Sequence, residues 1–261
     1  MKKPHVIFNF IVLSFIGLNI YSQSTEIGKL EVIVSGGLSF PICSYQNHDP
    51  SDAAILDENV SFTRIIGISK ENNGFAAVGY NYNLSFKYKV SPSVKIIFTT
   101  TRFDNPVITK NISKYITSIY DRAQTMEESD YKILSLTPGI GYERSFQKII
   151  LGFNLYAGYS FAKYPYYKFI QDFMMLDPPP IFAHEGSKPT LHSCTFGSSI
   201  SSAINISKRV KIGIDANFLS SKFSYHMTNT LIPGGSAPFN ISDKLNVKVI
   251  NVALNYSYSF F

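Results

Sequence analysis

The stretch Gly74–Thr101, GFAAVGYNYNLSFKYKV-SPS-VKIIFTTT, reads as a strand, a tight turn and a strand. On the first strand Ala76, Val78, Tyr80, Tyr82, Leu84, Phe86, Tyr88 and Val90 alternate with Ala77, Gly79, Asn81, Asn83, Ser85, Lys87 and Lys89. Successive side chains of a strand point to opposite faces, so this period of two means an apolar medium on one side and a polar one on the other. After Ser91-Pro92-Ser93 the pattern resumes with Val94, Ile96 and Phe98 against Lys95, Thr99 and Thr101, with Ile97 breaking the polar face. The pair is expected to be a transmembrane β-hairpin.

The same rule recurs along the chain. Predicted strands run over Leu30–Phe40, Lys132–Glu143, Ile149–Ala162, Leu191–Ile206, Val210–Leu219 and Leu245–Phe261, which with the hairpin make eight. Short turns at 91–93, 144–148 and 207–209 alternate with four long connections, the last containing Pro233-Gly234-Gly235 and Pro238. An even strand number, strands long enough to cross a bilayer and long-short alternation together predict an all-β fold. It is an eight-stranded antiparallel up-and-down transmembrane β-barrel with four long extracellular loops and three short periplasmic turns. Closure is required, because an open edge in hydrocarbon leaves backbone groups unpaired.

A soluble lipocalin-like barrel shares the period with its apolar face inward. Residue size separates the two. Here the polar face is mostly Gly, Ser, Asn and Ala and suits a narrow interior, while Tyr, Phe, Leu and Ile crowd the apolar face. Charged residues are only 16% of the chain, against roughly 25% in ordinary soluble domains. Outward aromatics fall near strand ends as two girdles: Phe40, Tyr159, Phe161 and Phe218 by the loops, and Phe86, Tyr88, Tyr142, Tyr256, Tyr258 and Phe260 by the turns.

Residues 1–22 read as a secretory signal peptide, with Lys2 and Lys3 before the apolar run Val6–Ile20 and cleavage after Ser22, leaving 23–261 as the barrel. Loss of the two lysines lowers the formal charge from +6 to +4, too little and too scattered for a nucleic-acid footprint.

The leader ending before Gln23, the run Leu136-Thr137-Pro138-Gly139-Ile140-Gly141-Tyr142-Glu143 and the ending Asn255-Tyr256-Ser257-Tyr258-Ser259-Phe260-Phe261 resemble the PorT-like small outer-membrane barrels of the Bacteroidetes type. The resemblance implies a place in the outer membrane with lipid around the wall, and the barrel-assembly machinery as a transient partner through the strand ending at Phe261. It also raises a role in protein secretion, since some members take part in it.

Chemistry-bearing residues are sparse. His5, His48, His184, His192 and His226 have no metal-ligand spacing, and no glycine-rich phosphate loop opens a helix. No catalytic, cofactor or metal residue is expected. His226 with Asp243 or Ser224 is the raw material for a hydrolase or acyltransferase. Cys43 and Cys194 are expected nearly across the barrel from each other and unpaired, since bonded Cα atoms must lie within about 7 Å.

Two groups stand out. Glu31, Lys87, Lys89, Lys95, Glu143, Lys211 and Asp215 all fall on the polar face in the periplasmic third, where long side chains in a narrow lumen are expected to interlock as a charged plug. In the third connection Tyr164, Tyr166, Phe169, Phe173 and Leu176 form an apolar set. Phe169, Phe173 and Leu176 recur at helical spacing before Pro178-Pro179-Pro180, so a short amphipathic helix is predicted, either docking a partner or folding over the barrel mouth. The functional classes left open are a non-enzymatic envelope component or secretion-assembly part, a small channel, and an outer-membrane enzyme.

Overall fold

In the computed structural model the described residues are 30–49, 71–108, 110–111, 113–114, 124–128, 130–146, 148–163, 167–172, 181–186, 190–232 and 239–260. The segment 1–22 expected as a leader therefore lies outside the described residues, as do Tyr164, Tyr166, Phe173 and Leu176. Eleven strands are present among them: β1 Leu30–Pro41, β2 Gly79–Lys89, β3 Val94–Asn105, β4 Gln124–Glu128, β5 Tyr131–Phe146, β6 Ile149–Lys163, β7 Tyr167–Asp172, β8 Ile181–Gly186, β9 Thr190–Asn205, β10 Val210–Ile232 and β11 Phe239–Phe260. Eight of these, β1, β2, β3, β5, β6, β9, β10 and β11, follow one another as antiparallel neighbours. The ring closes where β1 pairs with β11, from Leu30↔Phe260 to Pro41↔Val249. Every spanning strand thereby has a neighbour on both sides, as hydrocarbon demands.

The wall is apolar on the outside. Leu254 is 67% exposed, Phe196 63% and Tyr80 64%, and every barrel strand contributes such residues. A continuous apolar belt of this extent is unstable in water and is matched by lipid, which makes this a membrane barrel.

The interior has three layers. At the turn end lie Glu31, Lys87, Lys95 and Glu143, all buried. The middle is a belt of small polar groups joined across strands, including Asn154 donating to Ser199 (2.8 Å), Asn83 donating to Ser35 (3.0 Å) and the Ser135–Ser160 pair (2.6 Å). The loop end is apolar: Phe103, Tyr131, Ile133, Leu219, Phe223, Leu245, Val247 and Val249 point inward and pack with Tyr45 and Phe75. Tyr45 lies in a 3-10 turn at Cys43–Tyr45, and its ring meets Tyr131 edge-on at 5.2 Å.

Residues 71–77 are stitched into this cap rather than beginning a strand, contrary to the expectation for Gly74–Ala77. Gly74 N donates to Ser44 O (2.7 Å), Ala76 N to Tyr45 O (3.1 Å) and Ala77 N to Pro106 O (2.7 Å). A Cβ on Gly74 would collide with the Tyr45 carbonyl oxygen and sit 2.8 Å from Tyr45 Cα, so only glycine permits the approach.

Two further expectations are corrected. The region around Phe169 is not helical: Tyr167–Asp172 is strand β7, paired with β8 through Phe169↔His184 and with β4 through Met126↔Phe169. Tertiary pairing overrides a helical spacing that rests on three residues. The fourth connection is mostly strand, because β10 and β11 stay paired from Val210↔Tyr258 up to Asn229↔Phe239, beyond the predicted end at Leu219. Strand β8 joins β10 at Asn229–Ile232, so β10, β11, β8, β7 and β4 form a sheet beyond the barrel mouth.

Candidate functional site

The turn-end layer is built by the alternation of five strands, each of which delivers one charged residue inward. Lys211 on β10 donates to Glu31 on β1 at 2.9 Å, and Lys95 on β3 reaches the same Glu31 oxygen at 3.4 Å. Lys95 also donates to Glu143 on β5, whose other oxygen accepts from Lys87 on β2 at 2.9 Å. The result is a chain of alternating sign, Lys211–Glu31–Lys95–Glu143–Lys87, running across the lumen. Glu31 and Lys87 are direct register partners, yet Lys87 bonds over β3 to Glu143.

Small residues make room for these side chains. A Cβ on Gly152 would lie 3.3 Å from Glu143 Cγ, and one on Gly141 would lie 2.6 Å from Ile97 Cδ1. Ile97, which interrupts the polar face of the sequence pattern, points inward beside that glycine and is buried.

Of the seven charges singled out in the sequence, five join the chain. Lys89 is half-buried and makes none of these ion pairs. Asp215 lies apart, accepting from Asn255 Nδ2 at 3.1 Å. It shares with Lys87, Asn83, Asn154, Asn217, Tyr156 and Ser199 a chamber of about 40 Å³, room for a few waters. The buried oxygens Asn83 Oδ1, Asn154 Oδ1 and Asn217 Oδ1 have no protein partner, which suits a hydrated chamber. The five-residue chain has three lysines and two glutamates, and Asp215 across the chamber brings the sum to zero.

Tyr156, with its hydroxyl 2.7 Å from Ser199 Oγ, is absent from the residues that the sequence singles out. Its even position on β6, in phase with Asn154 and Ser160, is the signal that places it inward.

The other end of the lumen is closed by the apolar cap. There the Tyr45 hydroxyl is buried without a hydrogen-bond partner, and burial, with Tyr131 and Asp104 nearby, pushes it above the usual tyrosine value near 10.

Reactive constellations are thin among the described residues. No group of three or more His, Cys, Asp or Glu side chains is placed there to hold a metal. His226 Nδ1 lies 2.6 Å from Ser242 Oγ on the exposed β10–β11 extension. His192 stacks on Tyr159 at 5.9 Å on the outer wall. Cys43 and Cys194 are free and exposed.

Neither a protein-family model nor a curated protein matches the chain. Among solved structures, Neisserial surface protein A aligns at TM-score 0.46 and 10% identity over 90% of this chain and 99% of its own. A major outer membrane protein from Thermus thermophilus gives 0.46 and 10% over 88% and 99%. The outer membrane protein AlkL in lipid bilayers gives 0.42 and 13% over 92% and 94%. The likeness is one of general barrel shape and carries no statement of role.

Proposed function

We propose that this chain is a sealed, non-enzymatic outer-membrane barrel of the PorT-like kind, an envelope scaffold or part of a surface or secretion assembly. The observation that carries the reading is the five-stranded sheet beyond the mouth, built by β10, β11, β8, β7 and β4, above a lumen blocked by an ion-pair chain and an apolar cap. A filled barrel has little to offer as a conduit, so its product is the surface it holds up. Strand-edge sheets outside a barrel are suited to binding protein, because the unpaired backbone groups of an edge accept another strand. The leader routes the chain to export, and β11 with its aromatic outward row, Tyr256, Tyr258 and Phe260, is the segment offered to the barrel-assembly machinery.

The test is crosslinking in intact cells followed by purification of the barrel. A protein partner is expected with the native chain and lost when 167–186, which carries β7 and β8, is replaced by a short glycine-serine turn. Recovery of no partner beyond the assembly machinery overturns the scaffold role.

A further inference from the structure

On the outer wall at the loop end, Lys132 of β5 and Lys163 of β6 are direct register partners, and both are exposed. Like charges directly opposite one another on a sheet face repel, because their Cβ atoms are only about 5 Å apart. The nearest carboxylate in the same row is Asp104, register partner of Lys132. Asp104 is already engaged by Arg102, which donates through Nε (3.3 Å) and Nη2 (3.1 Å). Neither lysine has an ion partner among the described residues.

The height of the pair matters as much as its charge. One step down the same face, about 7 Å along the strands, lie Leu134 and Phe161, both part of the apolar belt. Two ammonium groups thus stand at the upper boundary of the hydrocarbon-facing wall, where the phosphates of lipid headgroups sit. On the β10 side the comparable outward residue Lys222 is paired with Glu71 at 3.0 Å, whereas β5 and β6 set two lysines directly opposite each other without such a partner among the described residues.

We propose that Lys132 and Lys163 bind the phosphate group of an anionic lipid in the outer leaflet, the one phosphate bridging both ammonium groups and relieving their repulsion. The site rests on the wall being lipid-facing, and is independent of any protein partner.

The test uses the protein purified from membranes in zwitterionic detergent and examined by native mass spectrometry. The probes are bis-phosphorylated lipid A, the same lipid with its phosphates removed, and inorganic phosphate. The native barrel is expected to retain the phosphorylated lipid at least tenfold better than the dephosphorylated one. K132Q/K163Q is expected to lose that preference, and K208Q/R209Q at the opposite rim to keep it. In phosphatidylcholine vesicles without anionic lipid, K132Q/K163Q is expected to resist urea about as well as the native chain, since the repulsion it sheds offsets the loss of Lys132 opposite Asp104.

Equal retention of both lipids by the native barrel, an undiminished preference in K132Q/K163Q, or displacement of the lipid by equimolar inorganic phosphate overturns the site. Heat-modifiable migration after reconstitution in phosphatidylcholine checks the membrane reading separately. If that fails, the fault lies with the wall and not with the two lysines.

Discussion

Glu143 accepts from two lysines at once, one on β2 and one on β3, and so ties three strands together inside the wall. Removing one partner of a buried ion pair leaves a stranded charge and costs about 3–5 kcal/mol, less where water reaches it. Glu143→Ala is therefore expected to lower the urea midpoint of the reconstituted barrel clearly. Pairing it with Lys87→Met should recover part of the loss, because fewer charges are then stranded. Equal midpoints for native and Glu143→Ala protein would mean the layer is solvated and weak. Tyr45 gives a second test at this scale, with a definite sign. Its hydroxyl is held above its usual value in the fold and returns to about 10 on unfolding, so its contribution is intact below pH 10 and is lost as pH rises beyond it. Tyr45→Phe should be neutral or stabilising at pH 8, since it deletes a buried hydroxyl with no partner, and should blunt the alkaline loss of stability seen in urea titrations above pH 10.

Among the elements, the strands are legible wherever the two faces differ in polarity, as in β2 with Tyr80, Tyr82 and Leu84 out against Asn81, Asn83 and Ser85 in. What the alternation hides is which face is which. Leu245, Val247 and Val249 point into the cap with Asn246 and Lys248 outward, while Ile250 and Val252 point to the outer wall with Asn251 inward, so at 249–250 the phase of the pattern flips although the strand continues. For the same reason the reading of Ser, Asn and Gly as the lumen lining holds for the middle of the barrel and misses the cap. The sequence pattern puts Phe103, Ile133 and Phe223 at the ends of strands or in loops, yet they are among the most deeply buried residues of that layer. The ion-pair chain is legible as a set of charges at one level, but its partners are not, because the long lysines reach past their register neighbours. The strands β4, β7 and β8 leave no periodic signal over five or six residues. The cap makes a prediction of its own. Phe223→Ala removes a fully buried ring where β10 leaves the barrel, and large-to-small changes of this kind cost about 3–5 kcal/mol. Thermal unfolding followed by heat-modifiable migration should show a lower midpoint. The outward-facing Phe196→Ala, which faces lipid, should move it much less.

For the molecule as a whole, the decisive question is whether anything passes through. An eight-stranded barrel has an interior just wide enough for side chains to fill, and here it is filled twice, by the chain Lys211–Glu31–Lys95–Glu143–Lys87 at one end and by the Tyr45–Phe75–Tyr131 cap at the other. Between them lies the chamber of about 40 Å³, room for a few waters and too small to be a pore by itself. An ion entering from the turn end must displace lysines that are already neutralised, and one entering from the loop end must cross a packed, mainly apolar layer whose few polar groups, such as the Tyr45 hydroxyl, cannot replace its hydration shell. Two barriers of different chemistry in series predict no steady ion conductance for the native protein in planar bilayers. They also predict that neither barrier alone controls the current. Glu31→Ala/Glu143→Ala should stay silent because the cap remains, and Phe75→Ala/Phe223→Ala should stay silent because the ion pairs remain. Only the combined variant, provided it still migrates as a folded barrel, should show openings. A large and stable single-channel current from the native protein would overturn the sealed barrel and make the chain a channel. Openings in the cap variant alone would place the whole barrier at the loop end and reduce the charged layer to a structural role.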